Sequence, residues 1–282
     1  MYRKIWNKCA RSVAQLNLYT ESDIKILTLT GFKVRNFLIT DEGIRKISPY
    51  DKVEIKFVDK DGYTPVAWKI LDKTELDKRT IVGLNDKFLN FLIINIDFEG
   101  FEEIPPLSLG EEEEMAVGQP VASLGYHANQ ENLSIRQGII SSYHFNDDGN
   151  RYIQIDASIK SGNAGSPLVN VETGRIIGVI GHKLTELTDS YRRLKNIMNS
   201  NITLLKKYQG KYNMEDIDPV QVLIANQNQI KYIAKEIYRI ADMGVGYAVP
   251  AIDIAKFIKE NLIIEENHPS DNKLSGFWRF PF

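Results

Sequence analysis

The 282-residue sequence contains a single cysteine, Cys9, and this scarcity excludes several classes of protein. One thiol forms no intramolecular disulfide and supplies no set of cysteine ligands, so a disulfide-stapled secreted scaffold and a cysteine-based zinc site are both excluded. Long apolar runs are also missing. No segment reaches the roughly 18 apolar residues of a membrane-spanning helix, and the basic start lacks the apolar core of a signal peptide. We therefore expect a cytoplasmic protein that makes no use of a membrane.

The sequence also lacks a strong charge of either sign. It has 35 Lys and Arg residues against 37 Asp and Glu residues, a formal net charge of -2. Such a chain has no overall attraction for nucleic acid or for anionic lipid, so we expect it to bind neither. The composition, 43% hydrophobic and 26% charged, is that of a folded globular protein. We expect no cofactor and no metal, and we look for partners at local sites.

Two groups of short strands are predicted, separated by an acidic, proline-containing connection at residues 100–118. Runs rich in Val, Ile, Leu, Phe and Thr, bounded by Gly, Asp and Pro, are typical of an antiparallel barrel or sandwich. The two groups define an N-terminal β-barrel half, residues 1–110, and a C-terminal β-barrel half, residues 111–262. We interpret the connection as a solvated linker; an acidic docking patch is the alternative.

The hydrophobic period changes after residue 184, where apolar residues recur at three- and four-residue steps typical of helices. The first helical run ends at Gly210, and a second begins with Asp218 as cap and Pro219 at the first helical position. The sequence thus predicts a helical hairpin, residues 184–242, which interrupts the second barrel half. Its apolar stripe either covers the second barrel as extra core, which we favour, or faces a partner or a second copy.

The last residues, 263–282, form a tail that ends in SGFWRFPF, with four aromatic residues in the last six positions. Most tails fray, but we expect one this apolar to be buried, either on the chain's own barrels or in a groove of a neighbour. A homo-oligomer is therefore a possible state of the protein.

The stretch SGNAGSP, residues 161–167, has the composition of a tight turn that presents successive N–H groups to one point, as an oxyanion hole requires. Alone, such a turn suits any strand connection equally well. Its surroundings are more specific. The stretch IQIDASIKSGNAGSPLVNVETGRIIGVI, residues 153–180, resembles the nucleophile region of the trypsin-like serine proteases of the HtrA/Deg type. GVGYAVP, from Gly244, resembles the strand that closes their second barrel.

This resemblance implies a mostly β, two-barrel trypsin-like fold with the active cleft between the barrels. To that fold the chain adds the helical hairpin insertion and a C-terminal helix, predicted from the period of AIDIAKFIKENLI.

All three members of the catalytic triad are replaced when the resemblance is carried across residue by residue. The serine falls on Ala164, the histidine on Gly43 and the aspartate on Asn90. We interpret the two neighbouring serines, Ser161 and Ser166, as structural turn residues. A serine nucleophile needs a base within hydrogen-bond reach, and no histidine lies in the first barrel half. We therefore predict a catalytically inactive homologue, a pseudoprotease. The alternative is a trypsin-like serine endopeptidase whose nucleophile is substituted at Ala164.

The backbone part of such a site does not depend on the lost side chains. The resemblance implies that the N–H groups of Gly162 and Ala164 form an oxyanion hole. It also implies that one strand edge pairs with the backbone of an extended peptide; its residues are Gly178, Val179, Ile180, Gly181 and His182. We interpret His182 as a solvent-facing residue at a loop entrance, with selection of a polar side chain as the alternative.

These features lead us to expect a peptide- or protein-binding or scaffold module that acts through the vestigial cleft, the hairpin or the tail. A purely structural subunit that presents the hairpin is a further possibility.

Overall fold

The computed structural model describes residues 1–46, 50–83, 90–127, 130–157, 159, 162–181, 186–212, 217–240 and 245–262. Within them the helices are α1 Tyr2–Cys9, α2 Gly43–Lys46, α3 Lys73–Arg79, α4 Glu186–Lys206, α5 Pro219–Ile240 and α6 Ala251–Leu262. The first seven strands are β1 Val13–Tyr19, β2 Lys25–Val34, β3 Phe37–Asp41, β4 Lys52–Val58, β5 Pro65–Asp72, β6 Thr80–Val82 and β7 Phe91–Asn95. The remaining strands are β8 Pro120–Gly125, β9 Ser134–Phe145, β10 Arg151–Asp156, β11 Pro167–Asn170, β12 Ile176–Ile180 and β13 Val245–Pro250.

The N-terminal half is a seven-stranded antiparallel sheet in the order β5-β4-β1-β2-β3-β7-β6, which forms a half-barrel. The alternation expected of half-buried strands is clearest in β4, where Val53, Ile55 and Phe57 are buried and the residues between them are less so. The ring of Phe57 meets that of Phe101 edge to face, at 5.2 Å between centroids. Because β3 lies between β2 and β7, its carboxyl end is held on both sides.

The C-terminal half is a closed barrel in the order β10-β13-β12-β11-β8-β9, completed by the pairing of β9 with β10. Its interior is filled by aliphatic side chains, among them Ile140, Ile153, Leu168 and Ile177. The expected mostly β, trypsin-like fold is confirmed, with one closed barrel and one half-barrel. The division at residues 1–110 and 111–262 stays a prediction, although the half-barrel ends at Asn95 and the closed barrel begins at Pro120.

Segments outside the strands tie the two halves together more closely than the sequence suggested. The start of the chain, for which no element was predicted, forms α1, and its Ile5 and Cys9 are buried in the same cluster as barrel residues. From the other end of the chain, Phe257 of α6 meets Phe91 of β7 edge to face, at 5.7 Å.

The acidic connection at residues 100–118 is not a plain solvated linker. Phe101 and Ile104 are buried in the core of the half-barrel. Three of the four consecutive glutamates form ion pairs with two arginines of the closed barrel, Glu112 with Arg151 and both Glu111 and Glu114 with Arg175. The interpretation as a solvated linker is therefore corrected, because apolar residues on either side of the glutamates anchor the segment.

The helical hairpin is present, and its turn follows the predicted capping. The side chain of Asp218 accepts the N–H of Val220 at 2.9 Å and, through its other oxygen, the N–H of Gly210 at 2.7 Å. One carboxylate therefore both caps α5 and fastens the turn. Gly210 has a φ of 76°, a left-handed conformation that glycine adopts without strain.

The favoured interpretation of the hairpin as extra core of the second barrel is wrong. In the described part of the chain, α4 packs along α5 and neither helix packs extensively on a barrel strand. Apolar side chains on both helices, including Ile197 and Ile230, remain between 45% and 57% exposed. The tail, residues 263–282, lies outside the described residues.

Candidate functional site

The loop at residues 162–166 is a tight turn fastened to the closed barrel. Gly162 and Gly165 have φ values of 99° and 86°, which glycine adopts at little cost. The N–H of Ser166 donates to the carbonyl of Asn163 at 3.0 Å and closes the turn. The N–H of Gly165 donates to the carbonyl of Ile180 at 2.7 Å, and the N–H of Ile180 donates to Ser166 O at 2.9 Å. The turn is therefore held in register with β12.

Thr30 of β2 fastens the same loop to the half-barrel. Its hydroxyl donates to the carbonyl of Gly162 at 2.7 Å and accepts the N–H of Tyr126 at 3.0 Å. Its own N–H donates to the carbonyl of Ala164 at 2.9 Å. The amide of Asn163 donates to the carbonyl of Tyr126 at 3.0 Å. Hydrogen bonds therefore join the loop, the half-barrel and the end of β8 into one unit. Each of these bonds is made by backbone atoms or by a buried side chain.

The three positions assigned to the triad meet at this junction. A Cβ atom added to Gly165 would lie 1.9 Å from Thr30 O and 2.5 Å from Thr40 Oγ1, so the loop touches the end of β3 directly. Gly43 follows β3 by two residues. Just past β3, the N–H of Glu42 donates to the carbonyl of Asn90 at 3.3 Å. The structure therefore brings positions 43, 90 and 164 together at one end of β3.

The space beside Gly43 is occupied by a carboxylate. Asp41 Oδ1 accepts the N–H of Gly43 at 2.7 Å, and a Cβ atom added to Gly43 would lie only 2.5 Å from that oxygen. Asp41 is 5% exposed, so the carboxylate is buried beside this position. Any side chain at position 43, including an imidazole, would have to displace it.

The other two positions are engaged in packing. Asn90 is buried, and its Oδ1 accepts the N–H of Phe91 at 2.8 Å, which starts β7. Ala164 is 3% exposed, and its methyl group belongs to the apolar cluster of the half-barrel that includes Leu16 and Leu38. Both residues are therefore integrated into the structure without a reactive group.

Hydroxyl groups are present around the loop, but those within the described residues are buried. Thr30 is committed to the two bonds given above, and Thr40 Oγ1 donates to Thr30 O at 2.7 Å. Ser166 is fully buried, and its Oγ has no hydrogen-bond partner among the described residues. The burial of Ser166 fits a structural role, but its hydroxyl makes no hydrogen bond to the turn within the described residues. Burial also raises the pKa of the Tyr126 phenol, which stays protonated. Ser161 lies outside the described residues.

Comparisons with known proteins agree with this geometry. Residues 52–179 match the family model of the trypsin-like peptidase domain. Serine protease HTRA4 of Homo sapiens is 34% identical over 108 residues, which are 36% of this chain and 22% of that protein. A probable periplasmic serine endoprotease DegP-like of Halomonas elongata is 32% identical over 122 residues, 42% of this chain and 24% of that protein. Over the matched residues this chain is similar to HtrA-type, trypsin-like serine proteases.

A solved structure of the HtrA-type protease AlgW with tripeptide supports the fold assignment. It superposes with a TM-score of 0.55 at 17% identity, over 92% of this chain and 64% of that chain. The HtrA-like chain spans less than a quarter of the length of the two curated relatives named above, whose matches cover 22% and 24% of their sequences.

The histidine that lies beside the loop of this HtrA-like chain is not placed to act as a free base. His127 follows Tyr126, whose carbonyl binds Asn163, and its ring nitrogen Nε2 contacts Nη2 of Arg136. A guanidinium has only donors, so the imidazole lone pair is taken by Arg136. His144 lies on β9 against the ring of Tyr247, at 5.6 Å. His182 and His268 lie outside the described residues.

The predicted peptide-binding strand has a different environment from the one expected. Within β12, Gly178 pairs with Leu168 on one side and Pro250 on the other, and Val179 likewise has partners in β11 and β13. Ile180 pairs with Ala248 of β13, and its N–H and C=O bond to the loop. These three residues are interior to a closed barrel and offer no edge, which corrects that part of the expectation.

Gly181 is the last described residue of this strand region, and its N–H donates to Tyr247 O at 3.0 Å. His182, the last of the five predicted residues, lies outside the described ranges. By contrast, no acceptor among the described residues takes the N–H of Gly162 or of Ala164.

Two searches of the described residues bear on other functions. None of the described helices is both long and apolar enough to span a bilayer. No group of three or more His, Cys, Asp or Glu side chains in the described ranges could hold a metal ion. The cytoplasmic location expected from the sequence stays a prediction.

Sequence reasoning missed one residue that defines this site, Thr30, which in the stretch TLTGF connects the loop to the half-barrel. The place of Asp41 two residues before Gly43 indicates a turn residue, and the Asx turn is present. That its carboxylate fills the space beside Gly43 could not be predicted. Nothing in the sequence around Thr30 indicated its contacts with residues 126, 162 and 164.

Proposed function

We propose that this HtrA-like chain is a non-catalytic protein that binds an extended peptide or protein segment in the cleft between its two barrels. The observation that carries the proposal is the Asp41 carboxylate, which lies 2.5 Å from where a side chain at position 43 would start, in a site whose other two triad positions are Asn90 and Ala164. The three triad-equivalent positions then supply no nucleophile, base or orienting acid.

The chemistry of the site supports binding rather than hydrolysis. Loss of one triad member costs on the order of 10⁴–10⁶ in turnover, because nucleophilic attack and proton transfer depend on one another. At this junction the methyl group of Ala164 attacks nothing, and Asn90 carries no charge to orient a base. Asp41 lies at the end of β3, where its carboxylate accepts the N–H of Gly43.

The binding part of the proposal rests on donors that the fold leaves available. The N–H groups of Gly162 and Ala164 have no acceptor among the described residues, and Thr30 and Ile180 hold the loop that carries them. Preorganised donors of this kind receive a peptide carbonyl without reorganisation. The carbonyl of Gly181, at the end of β12, supplies an adjoining backbone acceptor for an extended peptide.

A binding assay with a labelled peptide library tests the proposal. Fluorescein-labelled decapeptides of mixed sequence are screened by anisotropy against the whole chain, and bound peptides are examined by mass spectrometry after prolonged incubation. We expect saturable binding of uncleaved peptides. Gly181→Trp should weaken binding at least tenfold, because the indole fills the cleft, whereas Lys78→Trp on the exposed surface of α3 should not.

Two results would overturn the proposal. Peptides shortened by the purified protein would show that the site is catalytic. Binding that is unchanged by Gly181→Trp would place the peptide outside the cleft.

A further inference from the structure

The helical hairpin carries a row of exposed apolar residues that its own fold does not bury. On α5, Leu223, Ile230, Ile233 and Ile237 are between 45% and 55% exposed. On α4, Ile197 and Leu204 are 57% and 55% exposed. A surface helix of a globular protein normally turns such residues to the core and polar residues to water. This row therefore indicates an interaction surface.

The spacing of the row on α5 points to a helical partner. Leu223, Ile230 and Ile237 are seven residues apart, and Ile233 follows Ile230 by three. These are the a and d positions of a heptad repeat, in which apolar side chains pack between side chains of a facing helix. Asn226 occupies the first d position, and a single buried Asn is a common device for fixing register. An extended peptide or a flat surface would not require this period.

The rows on α4 and α5 lie on the same side of the hairpin. α4 contacts α5 through a line of less exposed residues centred on Met198, and α5 contributes a line that runs near Gln227. At about 100° per residue, Ile197 and Leu204 lie roughly 100–120° to one side of the α4 line. The row on α5 is displaced by a similar angle in the same sense.

Because the two helices are antiparallel, equal displacements bring both rows to one face. The opposite side is occupied by a polar contact, in which Lys231 Nζ donates to Asn199 Oδ1 at 2.7 Å. The position of this contact agrees with the angles that about 100° per residue gives for the two helices. We call the surface formed by Ile197, Leu204, Leu223, Ile230, Ile233 and Ile237 the hairpin face.

The charge and size of the hairpin face fit a second copy of the same surface. Its six residues are all uncharged, and the polar residues between them, Asn201 and Asn226, are neutral amides. The six residues of two copies would therefore stack without like-charge repulsion among them. With α5 about 33 Å long and two helices about 20 Å wide, the face offers on the order of 600 Å². That approaches the roughly 800 Å² per partner of a stable interface.

We propose that two copies of this chain associate through the hairpin face, so that α4 and α5 of each copy form a four-helix bundle. Bundles of this kind pack helices nearly antiparallel around a core of a and d residues. The proposal does not depend on the function of the cleft.

Sedimentation equilibrium of the whole chain tests the proposal with two neighbouring substitutions. We expect the wild-type protein to sediment at twice the 32.2 kDa of one chain. Ile233→Glu places a charge in the bundle core and should raise the dissociation constant at least 100-fold, giving a monomer. Tyr232→Glu is the matched control. Tyr232 is 66% exposed but points to the other side of α5, so this variant should remain dimeric.

Three sedimentation results would overturn the proposal. They are a wild-type monomer at about 100 μM, a dimer that survives Ile233→Glu, and a whole chain that is monomeric while a chain ending at Leu262 dimerises. The last result would show that the tail of the same chain covers the hairpin face.

A cross-linking experiment keeps the proposal testable if Ile233→Glu unfolds the hairpin. Cys9 is the sole cysteine and is buried, so an introduced thiol is the reactive one. A long bismaleimide should join two copies of Asn226→Cys, which lies on the hairpin face. Asn228→Cys, on the other side of α5, should remain uncross-linked. Equal cross-linking of the two variants, or none in either, would contradict the proposed dimer.

Discussion

The loop at residues 162–166 and the hairpin face differ in how far the rest of the chain buries and holds them. The loop is buried and held by Thr30, Ile180 and Asn163, although the side chains that gave such a loop its chemistry are missing. The hairpin face is held by nothing among the described residues, yet it keeps large apolar side chains in water. Packing alone explains the shape of the loop. It does not explain the hairpin face, which is why the hairpin is the better indicator of an interaction.

The largest expected effect tests how tightly the loop is held. Gly165 and Gly100 have nearly the same φ, 86° and 84°. A Cβ atom at Gly165 would collide with Thr30 O at 1.9 Å, whereas one at Gly100 would meet nothing within 4 Å. We expect Gly165→Ala to lower the free energy of unfolding by about 3 kcal/mol or more and Gly100→Ala by only about 1 kcal/mol. Urea denaturation measures both, and equal losses would show that the junction is loosely packed.

A smaller effect is expected from the hydroxyl that joins the two halves. Thr30→Val keeps the shape of the side chain but leaves the carbonyl of Gly162 and the N–H of Tyr126 without their buried partner. The expected loss of stability is about 2 kcal/mol, since each buried unsatisfied group costs about 1–3 kcal/mol.

The control for Thr30→Val lies on the hairpin. Thr203→Val removes a hydroxyl that donates to Asn199 O at 2.9 Å on the exposed surface of α4. It should change the free energy of unfolding by less than about 0.5 kcal/mol. A comparable loss in the two threonine variants would remove the distinction between the buried loop and the exposed hairpin.

The smallest effect concerns the turn of the hairpin. Asp218→Ala removes the acceptor for the N–H groups of Val220 and Gly210 and should cost about 1 kcal/mol, confined to the hairpin. Hydrogen exchange should become faster in the first turn of α5 and stay unchanged in β10 and β12. Asp148→Ala, in an exposed loop, serves as the control. Faster exchange in the barrel would indicate that the hairpin supports it after all.

The sequence predicted most of the fold because period and turn chemistry are local properties. The strand runs of both halves appear where alternation and turn residues placed them, and Asp218 and Pro219 begin α5 as expected. Two strands were missed: β5 begins with a proline and exposes Trp68 and Ile70, so its alternation is irregular, and β6 has only three residues.

Long-range packing could not be predicted in the same way. An amphipathic stripe has the same sequence whether it lies on a barrel or on another chain, so Ile230 and Ile233 were assigned to the wrong surface. Gly178 was expected at a strand edge, but it has a partner strand on each side. Barrel closure sets the neighbours of a strand, and one sequence does not reveal that closure. The position of the Asp41 carboxylate beside Gly43 depends on the same closure.

The central claim is that the triad-equivalent positions of this chain support no catalysis, and covalent labelling with a fluorophosphonate tests it most directly. The reagent modifies a serine that a neighbouring base activates. Wild-type protein and the Ala164→Ser variant are each treated with it, before and after denaturation. We predict no labelling of either folded protein above its denatured control, because Gly43 supplies no base and Asp41 fills its place. Rapid labelling of folded Ala164→Ser, or of the wild-type protein, would contradict the account.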